Sequence, residues 1–420
     1  MENIIFYTLI IIITAGFLAD RLIEYLNLRY RTRPLPDTAK NILNEEQNSK
    51  SFDYHSAKYR FDFTTAGTGL LLILSVLFLD GFARLDEFIQ TITSDEIIVV
   101  LLFFTIIGLV YDFFGTPFAL YDTFVIEQKF GFNRTTFTTF ITDKIKGYFL
   151  SALIGVPLLA VFTWFYFYAG QFFWVYIWVV YTLFGLIMMM FYTTLILPLF
   201  NKLTTLEDGE LKNAIISYCT KTGFSVKNIF IMDGSKRSSK ANAFFSGLGP
   251  RKTIILFDTL IKEHTVAEIV SVLAHEVGHY RKKHTRKMMI ISGIQSFLIL
   301  YILSLFLNVE YFSQALGVSE AKFHTGLIAF GIIFSPFSTI IGIAMNFLSR
   351  RFEFEADRYA KETSSGTDLS SALVKLSVNQ LSNINPHPFY VFVHYSHPPL
   401  LKRIERLSHE NPELNPSLHS

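Results

Sequence analysis

The sequence predicts an all-α polytopic membrane protein of seven transmembrane helices carrying a small α+β polar domain. Three observations lead there. Of 420 residues, 51% are hydrophobic and 16% aromatic while only 17% are charged, too apolar for a soluble domain of this length. An apolar run at residues 4–18 is followed by six longer ones, each able to cross the hydrocarbon core as a helix. The Lys and Arg residues between the runs collect in alternate loops.

The run at 4–18 has the look of a secretory signal, but Glu2 is the only charged residue ahead of it and Asp20 and Arg21 follow, so an uncleaved first span is expected. The remaining spans lie near residues 63–83, 97–121, 148–169, 171–198, 287–308 and 324–348. The loop after span one holds Arg29, Arg31, Arg33, Lys40, Lys50, Lys58 and Arg60, and that after span three holds Lys129, Arg134, Lys144 and Lys146. Both are expected in the cytoplasm. The loop after span two (Arg84, Asp86, Glu87, Asp95, Glu96) is acid-rich, the one after span four is nearly absent, and the one after span six holds Lys322 as its only Lys or Arg. This alternation places the N-terminus outside and the polar segments in the cytoplasm. The chain then divides into spans one to five with their loops (1–198), a polar segment (199–286), spans six and seven (287–348) and a C-terminal polar segment (349–420).

The net charge of +2 carries no basic excess, which argues against a nucleic-acid partner; the lipid bilayer is the expected surroundings. One cysteine, Cys219, excludes an intrachain disulfide and a cysteine-built metal site. A metal would have to be held by His, Asp or Glu.

In the first polar segment, VKNIFIMDG, SSKANAFF and RKTIILFDTL read as strands bounded by Gly, Pro and Asp. A helix follows: Thr265 with Glu268 forms a capping box, and Ile269, Val272 and Leu273 carry helical spacing into HEVGH, residues 275–279. On a helix, His275 and His279 project from one face, close enough for both imidazoles to bind one ion, with Glu276 to the side, where it can hold a water. This pattern suits metal-assisted hydrolysis by zinc, with Glu276 accepting a proton from the water and passing it to the leaving amine.

A third ligand must come from elsewhere, because Lys282 and Thr285 occupy the places that a longer HExxH-type motif would use. His284 is near in sequence but falls off the face of the pair. In RRFEFEADRYA, just after span seven, Glu353 and Asp357 share one helix face while Glu355 points elsewhere. Glu353 is assigned as the third ligand and Asp357 as the group that orients a ligand imidazole. The alternative is a solvated helix whose acids pair with Arg350, Arg351 and Arg358. The charge pattern puts this helix on the same side as HEVGH, as ligation requires. Downstream, HYSHPPLLKRIERL offers His394, His397 and Arg403, with Pro398 and Pro399 suited to opening a helix. A histidine there could donate to an oxyanion.

Together HEVGH, the EFEAD segment and HYSHPPLLKRIERL resemble the type I CAAX prenyl protease family of integral-membrane zinc metalloproteases. The resemblance covers nearly the whole chain and includes FVIEQKFGFNR (124–134) and SKRSSKANAFFSG (235–247). It implies seven long helices enclosing an intramembrane chamber, with one zinc ion held by His275, His279 and Glu353 near its cytoplasmic end. It further implies Glu276 as base and acid, His397 as the transition-state histidine, Arg403 as an arginine near the site, and the stretch at Asn242 and Ala243 as the strand along which peptide aligns. The implied reaction removes the last three residues of a prenylated protein or peptide ending in Cys-aliphatic-aliphatic-X. An alternative keeps the enzyme but makes it a quality-control protease for membrane proteins with non-prenylated substrates. A transporter or receptor is opposed by the lack of paired internal repeats. Richness in Ile, Phe, Lys and Asn points to a bacterial inner membrane over the endoplasmic reticulum. Asp112, inside span three, must face water or a partner. Nothing in the sequence speaks to an oligomer.

Overall fold

Seven helices of the computed structural model are long and apolar enough to span a membrane, and residues 1–36, 39, 42–246 and 253–408 are described. Lys40, Gly247, Arg251 and Lys252, which the sequence reading placed in a loop or at segment ends, lie outside the described residues. The spanning helices are α1 (Glu2–Tyr30), α2 (Glu45–Phe78), α4 (Glu96–Glu127), α5 (Phe137–Tyr168), α6 (Gly170–Phe200), α10 (His284–Phe306) and α12 (Phe323–Thr363). Only 6% to 17% of each helix's most apolar stretch is buried within the protein, which calls for a non-aqueous cover over most of that surface. Several helices outrun their apolar runs, and α12 continues through the Glu353 and Asp357 segment without a break.

The loop expected after span two is instead largely a helix, α3 (Gly81–Gln90), which buries Phe82, Ala83, Asp86 and Ile89 along one stripe. The signal was present in FARLDEFIQ, whose apolar residues recur at helical spacing, but the acids among them read as loop.

The chain forms two compact units. The first comprises Met1–Glu24, Ala57–Met188 and Met288–Ile341, the second Tyr25–Ser56, Met189–Lys287 and the chain from Gly342 on. In the first, Leu9, Leu77, Phe82, Ile89 and Phe103 make one apolar cluster. Val100, Phe173, Ile177, Leu303 and Phe330 make another. Buried Asp86 accepts from His324 at 2.9 Å, so the acid that α3 buries is paired. Asp112 is paired as well: Lys144, expected in the loop after span three but carried on α5, donates from Nζ to its Oδ1 at 2.7 Å, and Tyr148 donates to Oδ2. An intramembrane carboxylate with a cation and a hydroxyl at hand meets the expectation that such groups have a partner.

The second unit contains a four-stranded sheet of order β1-β2-β4-β3: β1 (Leu203–Thr205), β2 (Asn228–Met232), β3 (Ala243–Ser246) and β4 (Thr253–Phe257). The three strands read from sequence are there, while β1, three residues long, is an addition. Strand β2 runs parallel to β4, β1 and β3 antiparallel to their neighbours, and β3 forms an edge. Against the sheet pack α7 (Glu210–Lys221), α8 (Asp258–Glu263) and α9 (Val266–Arg281). Ile269, Leu273, Ala274 and Val277 of α9 meet Ile215, Tyr218 and Cys219 of α7, Ile254 and Leu256 of β4 and Leu260 of α8 in the main core of this unit. One face of α9 is therefore anchored in apolar packing, and the opposite face is left for chemistry.

Candidate metal centre

Helix α9 begins as its sequence dictates. Thr265 Oγ1 accepts from Glu268 N at 3.3 Å and Glu268 Oε2 accepts from Thr265 N at 2.9 Å, a reciprocal capping box. Buried Glu268 does more than cap: Lys375 donates to Oε2 at 2.9 Å and Ser371 to Oε1 at 2.6 Å, both from α13 (Gly366–Asn379). Burial works to raise the Glu268 pKa, but the bonds from Lys375, Ser371 and the Thr265 backbone prevail and lower it to about 2.

Two turns on, His275 and His279 turn their Nε2 atoms toward each other, 3.1 Å apart. From α12, Glu353 brings Oε2 to 3.4 Å from His275 Nε2 and Oε1 to 3.3 Å from His279 Nε2. These edges match the separation of about 3.3 Å between two ligands that sit roughly 2.0–2.1 Å from a tetrahedral ion. Among the described residues, these three are the set whose ligand atoms lie within 4.8 Å of one another. Buried Glu353 Oε2 has no hydrogen-bond partner, a costly condition that a cation would relieve. The residues present thus fit a metal ion.

The helices that carry the ligands approach very closely. A Cβ on Gly278 would lie 3.0 Å from Cα of Ala356 and 3.1 Å from its carbonyl oxygen. The glycine of HEVGH is therefore a packing requirement: it lets α9 and α12 bring three ligands to one point.

Asp357, one turn beyond Glu353, accepts from His275 Nδ1 at 2.8 Å. Arg403, on α15 (Leu400–Ser408), grips the same carboxylate with Nε at 2.8 Å and Nη2 at 2.6 Å, and its Nη1 stands 3.6 Å from Glu353 Oε2. It is only 8% exposed, so the structure puts it behind the ligands rather than facing a substrate. Burial pulls the His275 pKa down, but Asp357 and Glu353 outweigh it and raise the ring to about 9, the mark of a basic imidazole.

His279 has its own support, which sequence spacing missed. Its Nδ1 lies 3.1 Å from His284 Nδ1, and His284 Nε2 lies 3.1 Å from Glu355 Oε2. On one continuous helix His284 falls off the face of the pair. In fact α9 ends at Arg281, Lys283 adopts φ +59, and His284 opens α10 turned back toward His279, its ring stacked on Phe352 at 4.1 Å. Of the arginines considered as ion-pair partners, Arg351 reaches Glu355 at 3.4 Å.

His397 brings Nε2 to 3.3 Å from Glu353 Oε1 with 64% of its side chain exposed, so it borders the centre from the open side. Its Nδ1 lies 3.0 Å from Ser396 Oγ. Glu276, half-buried, is on α9 between the two imidazole turns. Asn242 immediately precedes the edge strand β3; its carbonyl accepts from Phe257 N at 3.1 Å, which turns the backbone groups of Ala243 toward the free edge. Asn242 Oδ1 takes the Ala243 N–H at 2.8 Å.

Comparison with known proteins agrees in both halves of the chain. Residues 24–202 match the family description "CAAX prenyl protease N-terminal, five membrane helices" and residues 205–411 match "Peptidase family M48". A CAAX prenyl protease 1 homolog of Arabidopsis thaliana is 34% identical over 98% of both chains. The CAAX prenyl protease 1 of Saccharomyces cerevisiae is 33% identical over 89% of this chain and 88% of its own. The crystal structure of S. mikatae Ste24p superposes with a TM-score of 0.92 at 32% identity, covering 96% of this chain and 99% of that one. The fold and the site define a multi-pass membrane metalloprotease. The chain belongs to peptidase family M48, together with proteins named CAAX prenyl protease 1.

Proposed function

We propose that this chain is a zinc endopeptidase that removes the last three residues of proteins or peptides ending in a prenylated Cys-aliphatic-aliphatic-X sequence. The carrying observation is the convergence of His275, His279 and Glu353 beside Glu276 and His397, in a chain similar over nearly its full length to proteins named CAAX prenyl protease. A His-His-Glu set with a position left for water favours one zinc ion per chain. When bound, zinc supplies Lewis acidity, polarising the scissile carbonyl and making a water acidic enough to attack at neutral pH.

The chain's own residues do the rest. Glu276 takes the proton of the attacking water and delivers it to the leaving amine. His397, exposed on the open side, donates to the developing oxyanion. Asp357 fixes the His275 tautomer so that Nε2 keeps its lone pair for the ion, and Arg403 holds Asp357 in place. A peptide would extend the sheet at the edge formed by β3, pairing with the outward backbone of Ala243 once the Asn242 side chain swings off its N–H. Backbone pairing of this kind tolerates varied side chains. The basic loops after spans one and three support a cytoplasmic catalytic side. Composition supports a bacterial inner membrane, while the relatives named above are eukaryotic; fractionation of the source cells tests this.

The deciding experiment measures zinc content and cleavage of a farnesylated CAAX peptide for wild type and Glu276→Gln in detergent. One zinc in each, with cleavage by wild type alone, is the expected result. Equal cleavage of the peptide with and without its farnesyl group moves the substrate reading to non-prenylated membrane proteins, and absence of zinc from the wild type overturns the proposal.

A further inference from the structure

Helix α12 carries Asn346, Arg350, Glu353 and Asp357 at steps of four, three and four residues, which aligns them along one stripe. Glu353 and Asp357 serve the metal centre. The other two reach a different target, α14 (Pro388–His394), the short helix that leads into His397. Asn346 Nδ2 donates to the Val393 carbonyl at 2.8 Å. Arg350 Nη1 donates to the Val391 carbonyl at 3.0 Å and also to that of Tyr395.

These carbonyls belong to the last turn and exit of α14, where a cation is favourable; the Val391 carbonyl also accepts from Tyr395 N at 3.2 Å, so Arg350 shares it. Helix α14 has seven residues and none of them is fully buried. Arg350 has no carboxylate partner among the described residues, and its guanidinium is committed to main-chain oxygens. Two residues beyond the last of those oxygens, His397 stands with most of its side chain in the open, 3.3 Å from Glu353. The strap comes from the helix that also supplies the ligand.

Resting on the functional reading above, we propose that Arg350, assisted by Asn346, is a positioning residue that straps the end of α14 to α12 and so places His397 over the reacting carbonyl. One helix then fixes the third ligand, the group that orients His275 and the transition-state donor in a single rigid register. A misplacement of about 1 Å at such a donor costs roughly 100-fold in rate.

The test is a double-mutant cycle of Arg350→Met and His397→Ala in the full chain, with Arg350→Lys as the conservative variant, scored by kcat, KM and zinc content on the farnesylated peptide. The expected result is a kcat about 10- to 100-fold lower for Arg350→Met with zinc and KM unchanged, partial recovery in Arg350→Lys, and no further loss when Arg350→Met is added to His397→Ala. The same fold-loss in both backgrounds, or loss of zinc in Arg350→Met, overturns the proposal. A His397→Ala variant as active as wild type overturns the role given to His397 and the strap's purpose with it. Hydrogen exchange gives a readout that needs no activity: the amides of residues 394–397 exchange faster in Arg350→Met, and unchanged exchange overturns the strap even if the protein cleaves nothing.

Discussion

Asp357 accepts from His275 at 2.8 Å while the Arg403 guanidinium binds both oxygens of the same carboxylate. The ligand imidazole, the acid behind it and the arginine behind the acid form one buried chain, each link fixing the orientation of the next. Such supports govern how tightly a metal is held, because a ligand free to rotate must be reordered on every binding event.

Asp357→Asn is expected to weaken zinc binding about 10- to 100-fold, read by competition with a chromogenic chelator. Arg403→Met acts through the same carboxylate, so its effect on zinc affinity is largely absent in the Asp357→Asn background. Independent, additive losses would show that Arg403 acts through another group.

Gly278→Ala separates two opposing effects. In a helix interior alanine is favoured over glycine by about 1 kcal/mol. At this position the added Cβ would meet Ala356 backbone at 3.0 Å, so α9 and α12 must part. The expected outcome is lower zinc retention and reduced cleavage, larger still for Gly278→Val. A stabilised, fully active Gly278→Ala protein would mean that the close approach is dispensable.

Glu268 ties the cap of α9 to α13, and its pKa in the folded protein is lowered from 4.5 to about 2. A depressed carboxyl pKa contributes stability above the unfolded value of 4.5 and loses it as pH falls toward 2. Wild-type thermal stability should therefore decline on acidification through that window, while Glu268→Gln, less stable at neutral pH, declines less steeply. Parallel curves in a thermal scan of both proteins from pH 7 downward would rule this out.

Lys144 and Asp112 lie within the spanning helices, paired at 2.7 Å. Removing the cation alone leaves a carboxylate in an apolar stretch with only hydroxyl partners, so Lys144→Met should lower the yield and thermal stability of the purified protein. Adding Asp112→Asn should recover most of the loss. A double variant worse than the single would show that the pair contributes more than mutual compensation.

Much of this protein is legible in its sequence. Seven spans follow from the length of apolar runs, and the capping box ahead of HEVGH and the shared face of Glu353 and Asp357 from spacing within one segment; each is found where the residues put it. The strands at Asn228, Ala243 and Thr253 were also readable, whereas the three residues of β1 are too few to carry a pattern. Helix α3 was legible in principle but masked by its acids, one of which, Asp86, is buried against a histidine that no local rule could supply.

What the sequence by itself determined is the chemistry: two imidazoles one helical turn apart with a carboxylate between them, an acid pair at the same spacing, and spans that must lie in a membrane. These depend on neighbours along the chain. Only the tertiary structure decided how the pieces serve one ion. Glycine at 278 matters because of Ala356, His284 matters because Lys283 breaks the helix and turns it back, and Arg350 matters because α14 ends within its reach. Each joins residues that chain spacing does not relate, so the information lies in how helices pack rather than in the period of any one of them.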